Sequence, residues 1–182
     1  MIITLGGLPG SGKTTVARIL ADRLKMEYIN AGDIFRNLAA KKGMTLEEFG
    51  FFAERNPNID KAIDKKLLEI ARRDNVILEG RLAGIMLELN EMDALKVWLD
   101  APLEARVQRV AKRDGKSYEA ALSDTQTREK SEWDRYYNIY HVDIRDLSVY
   151  NMVIQTQDKT PEQIAEEVAA RFTERQQKRK GG

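Results

Sequence analysis

The feature that most constrains this sequence is a glycine-rich segment near its start, Gly7-Leu8-Pro9-Gly10-Ser11-Gly12-Lys13-Thr14. Four residues separate Gly7 from Gly12, and lysine and threonine follow at once, which is the pattern of a phosphate-binding loop. Glycines let successive backbone N–H groups turn toward phosphate oxygens, and the following helix directs its positive end to the same place. We therefore expect residues 7–14 to hold the phosphates of a nucleotide, with Lys13 as a mobile charge and the Thr14 hydroxyl on Mg²⁺. A glycine turn without a ligand is the alternative.

Short apolar segments alternate with amphipathic ones along the whole chain. The strand candidates are residues 2–5, 28–29, 76–78, 95–99 and 149–154. Five buried strands separated by helices are typical of a parallel sheet that is covered on both faces and joined by right-handed crossovers. The sequence therefore predicts an α/β fold of three layers, built around the phosphate-binding loop.

Capping signals mark several helix starts. Asp33 can cap a helix that follows the second strand. Thr45 with Glu48 forms a capping box. Thr160 with Gln163 forms another, with Pro161 at the first helical position. These signals predict helices that begin near residues 33, 45 and 160.

Length and charge set the outer limits. The 182 residues fit one domain, and 30 basic against 29 acidic residues leave a net charge of +1, so we expect neither nucleic acid nor a membrane as partner. The absence of cysteine excludes a disulfide framework, a thiolate metal site and a cysteine nucleophile. With no targeting segment at the beginning, we expect a cytoplasmic protein. We also expect it to be a monomer.

Charged residues follow the predicted strands. Arg36 comes after the second strand, and Glu79 and Arg81 come after the third. Ligands of open α/β sheets bind beyond the carboxyl ends of the strands, so these side chains should converge near the loop. The two guanidinium groups could hold a second phosphate, with surface salt bridges as the alternative. Glu79 is the candidate for orienting Mg²⁺ through water, and its competitor Asp100 is better explained as a helix cap.

A long charged helix is predicted from Ser117 to about residue 146. Arg128, Glu132 and Arg135 lie on one face of it, where they could bind phosphates together with a sugar or base. Solvated salt bridges within the helix are the alternative.

The preceding helix carries a second arginine face. Arg106, Arg109 and Arg113 share that face and lead to a break at Gly115, which is a plausible hinge for a closing lid. A lid would exclude water, which otherwise competes as acceptor of a phosphoryl group.

The aromatic residues at the end of the long helix carry a different expectation. Tyr136, Tyr137, Tyr140 and the single histidine, His141, are expected to serve packing or to lie on the surface rather than to act in catalysis.

A phosphate-binding loop alone does not separate a kinase from a GTPase, a motor ATPase or a nucleotide-sensing regulator. The chain has no Asn-Lys-x-Asp segment for reading guanine, and its length leaves little room for a motor's insertions. The extra arginines favour a kinase with a phosphorylated acceptor. A regulator that binds ATP without phosphate transfer remains the non-enzymatic alternative.

Together, the loop, the segments 30–36 and 79–81, and the set Arg128, Glu132 and Arg135 resemble the nucleoside monophosphate kinases, most closely cytidylate kinases of the short archaeal type. The resemblance implies the strand order 2-3-1-4-5, a core of residues 1–32, 74–112 and 147–175, acceptor-binding helices at about 33–73 and a lid at about 113–127. It implies that ATP is held by Gly7, Leu8, Pro9, Gly10, Ser11, Gly12, Lys13, Thr14 and Thr15, with Arg109 and Arg113 from the lid. The acceptor would be bound by Asp33, Arg36, Arg81, Arg128, Glu132 and Arg135.

Two positions depart from the family pattern. Bacterial cytidylate kinases have serine before the glycine that corresponds to Gly32 and aspartate after the arginine that corresponds to Arg81, and both help to read cytosine. This chain has Ala31 and Leu82 there. Either other groups read cytosine, or the acceptor is AMP, UMP or a metabolite that is not a nucleotide.

Overall fold

The structure, a computed structural model, describes residues 1–181. The strands are β1 (Ile2–Gly6), β2 (Glu27–Asn30), β3 (Val76–Glu79), β4 (Ala94–Asp100) and β5 (Met152–Gln155). The helices are α1 (Lys13–Leu24), α2 (Ala31–Lys41), α3 (Leu46–Glu54), α4 (Asn58–Ala71), α5 (Ala83–Leu89), α6 (Leu103–Asp114), α7 (Tyr118–Tyr140) and α8 (Pro161–Lys180).

The five strands form one parallel sheet in the order β2-β3-β1-β4-β5, which confirms the expected topology. Glu79 pairs in register with Leu5 on one side and with Asn30 on the other. The carboxyl ends of β1, β2 and β3 therefore meet at one edge of the sheet, where the glycine-rich loop begins.

Two hydrophobic clusters cover the two faces of the sheet. On one face Ile3 and Leu5 of β1 pack with residues of α1 and α8, including Leu20 and Phe172. On the other face β3 packs against α4 and α5, for example through Leu67. Each fully buried aliphatic side chain contributes about 1.5–3 kcal/mol, so these two layers hold the sheet edge in place.

Both predicted capping boxes are present. The Thr45 hydroxyl accepts from the backbone N–H of Glu48, and the Thr160 hydroxyl accepts from that of Gln163. The predicted role of Asp33 is wrong, because Asn30 caps α2 by accepting from the N–H groups of Gly32 and Asp33. The cap therefore lies three residues earlier, at the last residue of the strand.

Several element boundaries also differ from the prediction. The long helix ends at Tyr140 rather than near residue 146, because His141 adopts a left-handed conformation with φ 56°. The edge strand β5 begins at Met152 rather than at residue 149. α8 extends from Pro161 to Lys180.

The helix α5 was not predicted from the sequence. Residues 83–87 are all buried, and only Glu88 and Leu89 at its end are exposed, so this short helix shows no amphipathic period. The expected capping role of Asp100 is also wrong. Pro102 precedes α6 without a side-chain cap, and Asp100 instead accepts a hydrogen bond from the Gln155 side chain at 2.9 Å.

Within residues 1–181, no helix combines the length and apolar character needed to cross a membrane.

Candidate active site

The glycine-rich loop joins β1 to the first turn of α1. Gly12, with φ 92°, precedes that helix and leaves its first turn without a side-chain cap. A Cβ atom on Gly12 would meet nothing within 4 Å, so the space beside Gly12 at the start of the helix is open. Uncapped N–H groups at a helix start attract anions. The loop therefore has the form of a phosphate cradle.

Arginine side chains of α6 hold the loop by hydrogen bonds to its backbone oxygens. Arg106 is buried, and it donates to the backbone oxygens of Pro9 at 3.2 Å and Ala101 at 3.0 Å and pairs with Glu129. A Cβ atom on Gly10 would lie 2.4 Å from the Arg106 carbonyl oxygen, so only glycine permits this contact. The sequence marked Arg106 merely as one of a helical face and missed this supporting contact.

Arg109 and Arg113, which were both expected to contact ATP from the lid, differ from each other in their surroundings. Arg109 lies in α6 and donates to the Gly10 oxygen at 3.2 Å and to the Thr156 hydroxyl and carbonyl at 3.0 and 2.9 Å. Thr156, which the sequence did not indicate, also donates to the Ser11 oxygen at 3.2 Å. Arg113 is exposed and pairs with Asp114. In this conformation Arg109 fastens the loop, whereas Arg113 lies at the end of α6.

Lys13 is folded back over its own loop. Its ammonium group donates to the Leu8 oxygen at 2.9 Å and to the Ser11 hydroxyl at 3.3 Å, and the residue is only 5% exposed. Burial and the charge of Arg81 lower the pKa of Lys13 well below its ordinary value. A phosphate placed here would supply the anion that favours the charged form.

Glu79 ends β3 beside the start of α1. Its Oε1 accepts from the Thr14 hydroxyl at 3.0 Å, and its Oε2 accepts from Asn30 Nδ2 at 3.1 Å and from the Tyr28 hydroxyl. Burial and the contact with Glu79 raise the pKa of Tyr28 above its ordinary value. Hard oxygen atoms at the edge of a phosphate cradle suit Mg²⁺.

Tyr28 and Asn30 are contributors that the sequence did not reveal. Residues two apart on a strand point to the same face, so their spacing was the available signal once β2 had been assigned. In the part of the chain that the structure describes, no group of three or more His, Asp or Glu side chains could hold a metal by itself.

A second cationic cluster lies next to the loop. Glu132 Oε2 accepts from Arg81 Nε at 2.5 Å, and Glu132 Oε1 accepts from Arg128 Nε at 2.8 Å. Burial by itself would raise the pKa of Glu132, but the charges of Arg81, Arg128 and Arg135 lower it to about 2. The carboxylate is thus an ionised spacer between two guanidinium groups. Their remaining N–H donors form a fork for an oxyanion.

Arg135 and Arg36 differ in their surroundings. Arg135 is buried, pairs with Asp60 at 2.8 Å, donates to Ser131 at 2.9 Å and lies over the ring of Phe35. Arg36 is 45% exposed and pairs with Asp33 at 2.5 Å. The structure therefore brings Arg81, Arg128, Glu132 and Arg135 together, and it places Arg36 with Asp33 at the exposed rim.

Two adjoining cavities open between the loop and the helices. The larger, of about 320 Å³, runs from Pro9 and Arg113 to Gly50 and Phe51 of α3. The narrower, of about 50 Å³, is lined by both polar and apolar groups. Its lining residues are Asn30, Ala31, Gly32, Phe35, Asp60, Ile63, Asp64, Leu67, Glu79, Gly80, Arg81, Leu82, Ala83, Arg128, Glu132, Arg135 and Tyr136. The cavities share Phe35, Arg128, Glu132 and Arg135, so they form one continuous cleft.

The aromatic residues of α7 pack as expected. Tyr136 and Tyr140 pack on the cluster around Leu82 and Ile144, and Tyr137 stacks on Trp133 at 5.2 Å. His141 contacts the edge of Tyr137 at the end of the helix.

Comparison with known proteins identifies a family. A family model described as the cytidylate kinase-like family matches residues 2–158. A cytidylate kinase of Methanococcoides burtonii is 50% identical over 157 residues, which cover 86% of this chain and 87% of that protein. A cytidylate kinase of Pyrococcus horikoshii is 45% identical over 162 residues, which cover 89% and 83%.

Solved structures share the fold at lower identity. An uncharacterized protein from Eubacterium ventriosum matches with a TM-score of 0.71 at 18% identity, over 95% of this chain and 98% of that one. A shikimate kinase from Acinetobacter baumannii, solved in complex with shikimate, matches with a TM-score of 0.60 at 19% identity, over 96% and 93%. Identities this low establish a common fold and no more.

Proposed function

The chain belongs to the cytidylate kinase-like family, and from this premise we propose that it transfers the γ-phosphoryl group of ATP to CMP, and also to dCMP. The products are ADP and the corresponding cytidine diphosphate. The observation that carries the proposal is the Arg81–Glu132–Arg128 cluster, which lies in the same cleft as Pro9 of the glycine-rich loop. A protein that only binds ATP has no need of this second, half-buried set of cations.

The loop is proposed to hold the phosphates of ATP. The uncapped first turn of α1 offers N–H donors, and Lys13 supplies the charge that moves with the γ-phosphate. Thr14, directly and through its contact with Glu79, would hold Mg²⁺, which supplies charge neutralisation at the transferred phosphate. Thr15, exposed in the same first turn, is proposed to contact the phosphates too.

The acceptor phosphate is proposed to lie on Arg81 and Arg128. Asp33 and Arg36, at the exposed rim, would complete the acceptor site when α2 closes over it. Arg135 would act on the acceptor side by holding Asp60 and the wall formed by Phe35. Arg109 and Arg113 are proposed to contact ATP as the segment 113–127 closes.

The chemistry follows from charge. The phosphate of a nucleoside monophosphate is largely dianionic at neutral pH, because its second pKa is about 6. Its oxygen is therefore already a competent nucleophile and needs no general base. The work left to the protein is to align the two phosphates in line and to neutralise their charges, which is the task of the cations on both sides of the cleft.

A coupled ADP-release assay tests the proposal. The purified protein is given ATP, Mg²⁺ and one acceptor at a time: CMP, dCMP, UMP, AMP or shikimate. We expect rapid turnover with CMP and dCMP. ADP release with none of these acceptors, together with tight ATP binding, would reject the kinase in favour of a regulator, and a clear preference for AMP or shikimate would reject the acceptor.

Lys13→Ala is the matching variant. Because it removes the loop's mobile cation, we expect turnover to fall by about 10²-fold or more, the order found when one electrostatic group at a transition state is lost. Lys159→Ala removes an exposed lysine that pairs with Glu167 and serves as the control with unchanged turnover. Full activity of the Lys13 variant would contradict the assignment.

The sequence's expectations of a cytoplasmic location and of a monomer without membrane or nucleic-acid partners stay predictions. Size-exclusion chromatography with light scattering tests the oligomeric state directly.

A further inference from the structure

The narrow cavity is lined by a carboxyl group that has no role in the proposed phosphoryl transfer. Asp64 of α4 is 7% exposed, and its Oδ2 accepts a hydrogen bond from the Tyr140 hydroxyl at 2.7 Å. Burying a carboxylate without a cationic partner is costly. Within residues 1–181 Asp64 has no ion pair, so no cation offsets the cost of burying its carboxylate.

The other acidic side chains of this cavity are already engaged. Both oxygens of Glu132 accept from arginines, and both oxygens of Glu79 accept hydrogen bonds. Asp60 is paired with Arg135. By contrast, Asp64 Oδ1 has no hydrogen-bond partner among the described residues. It is also not among their fully enclosed unpartnered polar atoms, so it keeps some exposed surface, and Asp64 is one of the residues that line the cavity.

The surroundings of Asp64 suit the flat ring of a base. The same cavity is lined by Ile63 and Leu67 of α4 and by Leu82 and Ala83 at the start of α5. The cationic pair Arg81 and Arg128 lines it too, which suits a nucleotide bound with its phosphate at the arginines and its base among the apolar groups. The cavity must widen to admit a ring, and the half-buried residues Ala31 and Phe35 of α2 form one of its walls.

Cytosine and uracil differ at C4, where cytosine carries an amino donor and uracil a carbonyl acceptor. An ionised carboxylate oxygen only accepts hydrogen bonds, so it favours the amino group. Ala31 and Leu82 have no polar side-chain atoms and leave this reading to another group. We propose that Asp64 selects the acceptor base, with Oδ1 accepting from the exocyclic amino group of cytosine while Tyr140 holds Oδ2.

This proposal rests on the proposed function, since it assigns the base selectivity of that acceptor site. The pKa of Asp64 is raised to about 7, because burial and the charge of Asp60, which raise it, outweigh the Tyr140 hydrogen bond and the charge of Arg135, which lower it. Around neutral pH the carboxyl group is therefore ionised in a substantial fraction of molecules, and from pH 8 upward the accepting form predominates.

The test is a pair of substitutions at residue 64, assayed at pH 8 with CMP and with UMP. In Asp64→Asn the amide oxygen takes the Tyr140 hydrogen bond and the NH₂ group faces the cavity, where it suits the uracil carbonyl. We expect the ratio of kcat/KM for CMP to that for UMP to fall about 10- to 100-fold, the range for one mismatched hydrogen bond to a charged group. Asp64→Ala offers neither donor nor acceptor, so the ratio should fall toward one.

Controls separate this from a structural role. Asp134→Asn removes a carboxylate from a different helix, α7, where it pairs with Lys130. This variant should leave the CMP-to-UMP ratio unchanged. Calorimetric binding of CMP and UMP, without ATP, gives a readout independent of turnover. If both variants fold and keep the wild-type ratio within about twofold, or lose both substrates equally, Asp64 does not read the base. If the wild-type protein uses neither CMP nor dCMP, the proposed function itself has failed.

Discussion

Glu132 lies between two arginines, and its replacement by glutamine tests the acceptor cluster most directly. The side chain is 8% exposed, and its two oxygens accept from Arg81 at 2.5 Å and Arg128 at 2.8 Å. Glutamine keeps the shape but removes the charge and turns an NH₂ group toward one guanidinium. The two half-buried guanidinium groups then repel each other without a shared anion.

The magnitude follows from the pKa of Glu132. Its usual value of 4.5 is lowered to about 2, despite burial, by the neighbouring arginines. That difference corresponds to ~3 kcal/mol of stabilisation above pH 4.5. Breaking a buried ion pair by removing one partner costs about 3–5 kcal/mol. Both arguments predict that Glu132→Gln lowers the free energy of unfolding by about 3 kcal/mol at pH 7.

Urea unfolding between pH 7 and pH 3 measures the effect. Because the folded-state pKa is depressed, the stabilisation is present above 4.5 and is lost as the pH falls toward 2. The gap between wild type and Glu132→Gln should therefore narrow below pH 4.5. Glu174→Gln, which removes one partner of an exposed pair with Arg171, is the control and should cost less than about 0.5 kcal/mol.

Two results would refute this reasoning. A Glu132→Gln protein as stable as wild type at pH 7 would show that the arginines do not depend on this anion. A stability gap that stays constant from pH 7 to pH 3 would show that the loss has a cause other than the charge of Glu132. In the kinase assay we expect the same variant to raise the KM for CMP more than the KM for ATP, since the cluster faces the acceptor.

The remaining predictions concern the loop and Asp64. Gly10→Ala places a Cβ atom 2.4 Å from the Arg106 oxygen at a φ of +81°, so it should raise the KM for ATP and lower stability beyond the ~1–2 kcal/mol of left-handed strain alone. The control is Gly43→Ala, with φ +66° and nothing within 4 Å; equal losses in the two variants would reject the contact. Burial raises the pKa of Asp64 from 3.8 to about 7, so its contribution to stability is present below 3.8 and is lost as the pH rises to 7. The free energy of unfolding of Asp64→Asn, relative to that of wild type, should therefore rise from pH 4 to pH 8, by ~4 kcal/mol at most. Urea unfolding of both proteins at the two pH values measures this difference, and the absence of a rise would contradict the prediction.

Patterns that depend on neighbours in the chain could be predicted. The glycine-rich loop, the five strands and the capping boxes at Thr45 and Thr160 are set by local backbone sterics and by period, which a sequence displays directly. The face shared by Arg128, Glu132 and Arg135 follows from the helical repeat in the same way. The cap at Asn30 was missed because two candidates, Asn30 and Asp33, lie within one turn.

Contacts between distant segments could not be predicted. The support of the loop by Arg106, the fastening of Arg109 to Thr156 and the bond from Tyr140 to Asp64 join residues 47 to 97 positions apart. Likewise five consecutive residues of α5, 83–87, are buried because of where the helix packs, so no amphipathic period marks it.

The sequence by itself determined that this chain has a phosphate-binding loop in an α/β fold with arginines at the ends of its strands, because glycine geometry and apolar periodicity act over a few residues. The tertiary structure decided which arginines share a carboxylate, which fasten the loop, and which carboxyl group is left facing the cavity. Those outcomes depend on burial and on distances across the fold, and both are set only when α4, α6 and α7 pack around the sheet edge.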